Sequence, residues 1–459
     1  GTLNATNLGN LFVGRHTAGN AAGNRGGTLD LTAAAIASTS GVNTLKVNEN
    51  LGVGSNNGGP NAPVLGLLRL PAALASLDVG SLYLGYERAG YGTIDFGPGS
   101  ALTNFLCRGA FYLSYGGLGS IVNLPTGVTF TVGQPALFAD MVVGHNGYAG
   151  NAISGALAVV NGRFVGCLNT LYLGHQAAGN TPNVTGDLDI ASCAVASAAG
   201  ENSFHANAAY IGSRNVGSEG DANPHGVLRL PPTVTNLVFG TLQLGYGLHG
   251  DGTIDIGTNS QLRSITITNA LYWGGGYAAR IGYETGGGFA PYFPTDIVFQ
   301  VGQPGRAVPA QMGVRYSYPG RAGNGTGTIA ITNGTFRGYL TDLQVGANLW
   351  DMIRTSTGIL DLRGAAIAPL DISGDAYIGA TTASNLNGYG FVYLPAASAS
   401  IARDLVVGDA FLPSRGLLEL FGTTLQVGRT LEVRPSGVVT THVGTSSCGL
   451  FVLSGITND

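Results

Sequence analysis

Two short phrases of alternating apolar and polar residues return along the whole chain. The first, apolar-x-apolar-Gly, ends at Gly14, Gly54, Gly85, Gly144, Gly174, Gly212, Gly245, Gly346, Gly379 and Gly408, with looser versions at Gly116, Gly274 and Gly313. The second, Gly-x-apolar-x-apolar, reads GTLDL from Gly27, GLLRL from Gly66, GTIDF from Gly92, GDLDI from Gly186 and GVLRL from Gly226. It continues as GTIDI from Gly252, GTIAI from Gly327, GILDL from Gly358 and GLLEL from Gly416. Alternation over four or five residues sends successive side chains to opposite faces of a half-buried strand. Leu29 and Leu31 then point inward while Thr28 and Asp30 point out. No stretch carries a helical stripe with caps. Successive marking glycines are about 28 to 40 residues apart, averaging about 33, within the roughly 20–50-residue range of solenoid repeats. The pattern predicts an all-β parallel β-solenoid, or β-helix, of about 13 coils of roughly 33 residues, with glycines at the corners. Stacked at about 4.8 Å per coil, it would form a rod roughly 60 Å long.

A longer repeat lies above the coil. Leu51–Phe96 returns at Tyr210–Ile256 with its Arg-Leu-Pro step in place, and LFVGRHTAGN from Leu11 matches LYLGHQAAGN from Leu171. A third copy opens at Leu343, Leu-Pro steps recur at Leu70, Leu230 and Leu394, and VGQP appears at Val132–Pro135 and Val301–Pro304. The expectation is one solenoid domain over residues 1–459, built from super-repeats 11–170, 171–342 and 343–459. GYETGGGFAPYFP (Gly282–Pro294) reads as an insertion protruding from it.

Composition sharpens this picture. Of 459 residues, 44% are hydrophobic, only 10% are charged and 76 are glycine. The regular apolar alternation argues against disorder. No apolar run reaches the roughly 18 residues of a membrane helix, so no membrane span is expected. With 21 basic and 25 acidic residues and no basic cluster, nucleic acid is not an expected partner. Lys46 is the sole lysine, a bias toward arginine that suits lateral charge pairing. The chain opens on Gly1 without an initiator methionine, and a processed mature chain or an ordered fragment is expected.

The outward residue of the Gly-x-apolar-x-apolar step runs Asp30, Arg69, Asp95 and then Asp189, Arg229, Asp255. Unlike charges one strand apart attract, so this column reads as a ladder that fixes register; a carboxylate pair about an arginine for polysaccharide cleavage is the functional alternative. Two residues before the marking glycine lie Phe12, Tyr83, Tyr172, Tyr210, Tyr272 and Tyr377. Such a row on the outer face suits self-stacking, lateral assembly or contact with sugar rings. His16, His145 and His175 follow the glycines and read as solvated loop residues without metal-ligand spacing. Cys167 and Cys193 would be able to form a disulfide in an oxidising compartment, free buried thiols being the alternative. Asn4, Asn183, Asn324 and Asn333 open N-glycosylation sequons.

No GxSxG elbow, HExxH, P-loop or dinucleotide turn occurs, and neither an enzyme nor a cofactor is expected. The GTLDL, GTIDF, GTIDI and apolar-x-Val-Gly phrases resemble those of extracellular β-solenoid surface proteins, adhesins and autotransporter-type passenger domains. That resemblance implies secretion to the cell surface and a structural or adhesive role. With Leu3 near one end and GLFVLSG (Gly449–Gly455) near the other, uncapped ends are expected. Self-association head to tail or laterally into a filament or surface layer is the leading expectation. A monomeric adhesin or glycan-binding rod comes second and a β-helix lyase or hydrolase third.

Overall fold

The computed structural model describes residues 2–4, 8–16, 25–38, 41–56, 63–87, 89–146, 152–177, 183–214, 223–247, 249–285, 288–314, 325–349, 355–381, 387–410, 414–442 and 451–453. These residues are all-β, with no helix, and their strands pair mainly in parallel. The chain divides into two compact units. One comprises Gly1–Gly212, Ser218–Val234 and Ile254–Asn259; the other comprises Ser213–Gly217, Thr235–Thr253 and Ser260–Asp459.

Three ladders organise the first unit. The apolar-x-apolar-Gly phrases form one, in which Leu11 faces Leu51, Leu51 faces Leu82, Leu82 faces Phe111, Phe111 faces Met141 and Met141 faces Leu171. From Leu51 to Leu171 this column is fully buried. The Gly-x-apolar-x-apolar phrases form the second, through Arg25–Asp30, Val64–Arg69, Gly90–Asp95 and Leu118–Val122, then through Ile153–Ala158, Val184–Asp189 and Pro224–Arg229. A third ladder, away from the marking glycines, stacks Leu45, Leu77, Phe105, Phe130, Phe164 and Val195 in register. Its phenylalanines are fully buried, and Phe105 and Phe130 stack at 4.4 Å. Parallel pairing buries both neighbours of every inward side chain, which is why these columns are so uniformly apolar.

The second unit repeats the scheme. Leu242, Leu271, Ala310, Leu343, Ala376 and Leu405 stack along its first ladder. Gly325–Ala330, Thr355–Asp361, Asn387–Leu394, Arg415–Phe421 and Gly437–His442 form its second, and Ile265, Phe299, Phe336 and Ile367 its third. The segment expected to protrude is a hairpin, Ala278–Thr285 running antiparallel to Gly288–Pro291. Both VGQP phrases make the same tight turn: the Gln134 N–H donates to the Leu137 carbonyl and the Gln303 N–H to the Arg306 carbonyl.

The marking glycines have φ between 53° (Gly212) and 81° (Gly408). This left-handed corner reverses the side-chain alternation inside the strand and strongly favours glycine. The two glycine phrases also meet. A Cβ on Gly54 would strike the Tyr91 carbonyl of the next second-ladder strand, and one on Gly66 would strike the backbone of Gly54. Gly174 and Gly186 interlock in the same way, as do Gly346 and Gly358 in the second unit. Main chain packs directly on main chain at these corners.

One marking position differs from its assignment in the sequence. Leu113 faces Leu84 and Val143, and Tyr115 faces Tyr86 and His145, so Ser114 rather than Gly116 stands in the glycine column. Ser114 is fully buried at φ 63°. Its hydroxyl donates to the Ser154 carbonyl at 2.7 Å and accepts the Gly119 N–H at 2.8 Å. A side chain stands here where backbone closes on the other corners, at the place where Leu118–Val122 and Ile153–Ala158 part into different sheets.

Candidate functional site

The aromatic column of the first unit is denser than the sequence shows. In register it runs Phe12, Gly52, Tyr83, Tyr112, Val142, Tyr172 and Tyr210. Phe12 lies over Gly52 and carries the Arg15 guanidinium 3.9 Å from its ring centre. The left-handed corner returns the residue after it to the same face, adding Tyr86, Tyr115, His145 and His175. The two columns interleave. Tyr83 stacks on Tyr112 at 5.3 Å, Tyr86 on Tyr115 at 5.1 Å, Tyr115 on His145 at 4.7 Å and Tyr172 on Tyr210 at 4.9 Å, with edge contacts between columns. The tyrosines are half-buried, so their faces are turned to one another and only part of each ring meets solvent. The signal for the second column was present in LGYER, LSYGG, VGHNG and LGHQA, but strict alternation assigns it to the opposite face. In the second unit Tyr272 and Tyr377 alternate with Gln243, Gln311 and Gln344, and Tyr246 packs on Tyr272 at 5.0 Å.

The histidines require a correction. His16, His145 and His175 are buried at 3%, 5% and 0% exposure, where solvated loop residues were expected. The corner that returns them to the ring face also packs them, and the His16 and Asn56 side chains lie within hydrogen-bond distance at 3.1 Å. Burial pushes the His145 imidazole down to about 4. Burial first, then the Asp140 carboxylate and neighbouring rings, pushes Tyr112 up to about 12. Burial, followed by Tyr210 and Asp140, does the same for Tyr172. These rings therefore form an uncharged stack near neutral pH.

A pH dependence follows from His145. Its folded value lies below the ordinary one, so the unfolded chain takes the proton first on acidification. The stability that depends on neutral imidazole is complete above about pH 6.5 and drains as pH falls through about 4, a loss of about 3 kcal/mol. Urea midpoints at pH 7 and pH 4 should separate much less in His145→Phe than in the parent. Equal separations would remove His145 as the cause.

The charged column contains one feature that was not foreseen. Asp30, Arg69 and Asp95 are in register, and Arg69 Nη1 lies 3.2 Å from Asp30 Oδ2, both side chains well exposed. Asp189 and Arg229 are also in register, yet the guanidinium Nη1 of Arg229 lies 2.5 Å from Asp187. What recurs is a turn. Asp30 accepts the Thr32 N–H, Asp95 that of Gly97, Asp189 that of Ala191, Asp255 that of Gly257 and Asp361 that of Arg363, each two residues on. Aspartate recurs there because its short side chain closes the corner that ends the strand.

Cys167 and Cys193 are buried free thiols, as is Cys107, so the possible disulfide is not formed. Cys193 directly precedes Ala194–Ser197 and Cys167 directly follows Arg163–Gly166, strands paired with Arg163 opposite Ala194. Along a strand that offset is roughly 15 Å, about twice the reach of a disulfide. Cys193 instead donates to the Val159 carbonyl at 3.0 Å. Asn183 and Asn333 are exposed. Asn4 begins its sequon in a strand whose side chain lies outside the described residues, as Asn324 does altogether.

Among the described residues no cluster of three or more His, Cys, Asp or Glu could hold a metal ion, and no helix is long and apolar enough to cross a membrane. Clefts open where the second ladder is interrupted. One of about 400 Å³ in the first unit is lined by Asn123, Ala156, Asp187 and Asp189. Another of about 500 Å³ lies under the hairpin of the second unit. No protein-family model, curated protein or solved structure matches the chain.

Proposed function

We propose that the chain is a parallel β-solenoid in three super-repeats and serves as an extracellular structural subunit that assembles end to end. The observation that carries this reading is the chemistry of the outermost strands. In the first unit Arg25–Asp30 is the terminal strand of its sheet, and Leu29 is only half-buried, whereas its stacked counterparts Leu68 and Ile94 are fully buried. In the second unit Gly437–His442 is the terminal strand of its sheet. Val438 on that strand is 43% exposed, and Val433 on the nearby Thr430–Val433 is 46% exposed. Among the described residues both edges are unpaired; parallel edges bearing apolar side chains pair with complementary edges, and a head-to-tail contact that does not close propagates into a filament.

Other features agree with a scaffold. The recurring carboxylates hold turn N–H groups, and the rings are engaged with one another. Exposed Asn183 and Asn333 suit a secreted surface protein. Negative-stain electron microscopy across a dilution series should show filaments of uniform width, shortened by a paired Val433→Arg and Val438→Arg substitution. Isolated particles at every concentration would reject the assembly.

A further inference from the structure

We propose that the cleft under the Ala278–Pro291 hairpin is a binding site for a short neutral oligosaccharide. Gly325–Ala330 begins a new sheet instead of continuing the one that contains Ala278–Thr285, and the hairpin folds back beside the gap. The resulting cleft, about 500 Å³, falls within the range of about 300–1,000 Å³ common for small-ligand sites. It belongs entirely to the second unit.

Its walls combine flat rings with hydrogen-bond donors. Half-buried Tyr292 and Phe293 line it together with exposed Thr326 and Thr328, the Thr326 hydroxyl donating to the Tyr277 carbonyl at 2.9 Å. Trp273, only 1% exposed, lines the cleft and packs near Phe293 and Phe299. Its indole N–H has no acceptor among the described residues, and neither has the Arg280 Nε–H. The polar groups open to the cleft include the Thr326 and Thr328 hydroxyls, which beside the rings suit a ligand rich in hydrogen-bonding groups. Arg280 Nη2 donates to Asp251 at 2.5 Å, which neutralises the charge inside the site. An uncharged molecule offering acceptors and flat apolar faces has the chemistry of a sugar ring. The cleft is separate from the Arg25–Asp30 and Gly437–His442 edges, and binding here requires no polymer.

Trp273 provides the readout, because the sequence holds only one other tryptophan, Trp350. In a Trp350→Phe background, emission would be titrated with maltotriose, cellotriose, chitotriose, trigalacturonate and an oligoproline peptide. At least one neutral trisaccharide should give a saturable change. Tyr292→Ala and Thr328→Leu, each confirmed folded by far-UV circular dichroism, should weaken it at least tenfold. A saturable response to trigalacturonate or oligoproline alone, no response to any probe, or a response unchanged in both variants would overturn the assignment. Since the titration reads a monomer property, its failure is distinguishable from a failure to form filaments.

Discussion

Gly174→Ala should destabilise the protein by about 4 kcal/mol or more, far beyond an ordinary glycine substitution. The left-handed backbone at φ 56° alone costs a side chain about 1–2 kcal/mol. In addition, the new methyl would strike the His225 carbonyl and the backbone of Gly186, neither of which can retreat without breaking parallel pairing. Gly99→Ala separates the two contributions, because Gly99 has φ 71° and nothing within 4 Å of its missing Cβ. Only the conformational cost of about 1–2 kcal/mol should appear there. Equal shifts of the urea midpoint in the two variants would mean that close packing of the corners contributes nothing.

The second large effect is expected in the third ladder, at its phenylalanine column. Phe130 is fully buried, stacks on Phe105 at 4.4 Å, meets Phe111 edge-on at 5.6 Å and continues to Phe164 at 6.3 Å. Phe130→Ala would leave a cavity that the stacked strands cannot close, at a cost of about 3–5 kcal/mol. Phe138→Ala, at a ring 37% exposed, should cost well under half as much. If both variants unfold at the same denaturant concentration, the phenylalanine column is not part of the stabilising core.

These contrasts also show what was readable in the residues. All-β character and parallel pairing follow from two phrases whose period is that of a strand, and the paired strands align as those phrases align. The third ladder was harder to see because only some of its strands end in the glycine phrase, as Phe130-Thr131-Val132-Gly133 does and Phe105-Leu106-Cys107 does not, so one coil can hold two such steps. Gly116 was read into the glycine column because glycine is the usual occupant, whereas Ser114 holds that place by hydrogen-bonding its hydroxyl to the strands on either side, with Gly116 two residues on also left-handed. The ring column was legible only in half. Period-two reasoning assumes an uninterrupted strand, and each left-handed corner resets it, which brought Tyr86, Tyr115 and His145 beside Tyr83, Tyr112 and Tyr172. The oligosaccharide cleft left no mark in the periodicity because it lies where the repeat is broken, between a hairpin and the start of a new sheet.

The interlocked glycines have a consequence for how such a chain can vary. Each pair acts as a clasp that fixes where a segment leaves the ladder and where it returns, from Gly85 to Gly92 in one place and from Gly212 to Gly226 in another. With both ends held, doubling the enclosed segment costs only about 0.6 kcal/mol of closure entropy. Sequences of different lengths can then be exchanged between clasps without disturbing the strands beneath. The fold becomes a rack whose hooks stand about 4.8 Å apart and whose contents are free to change.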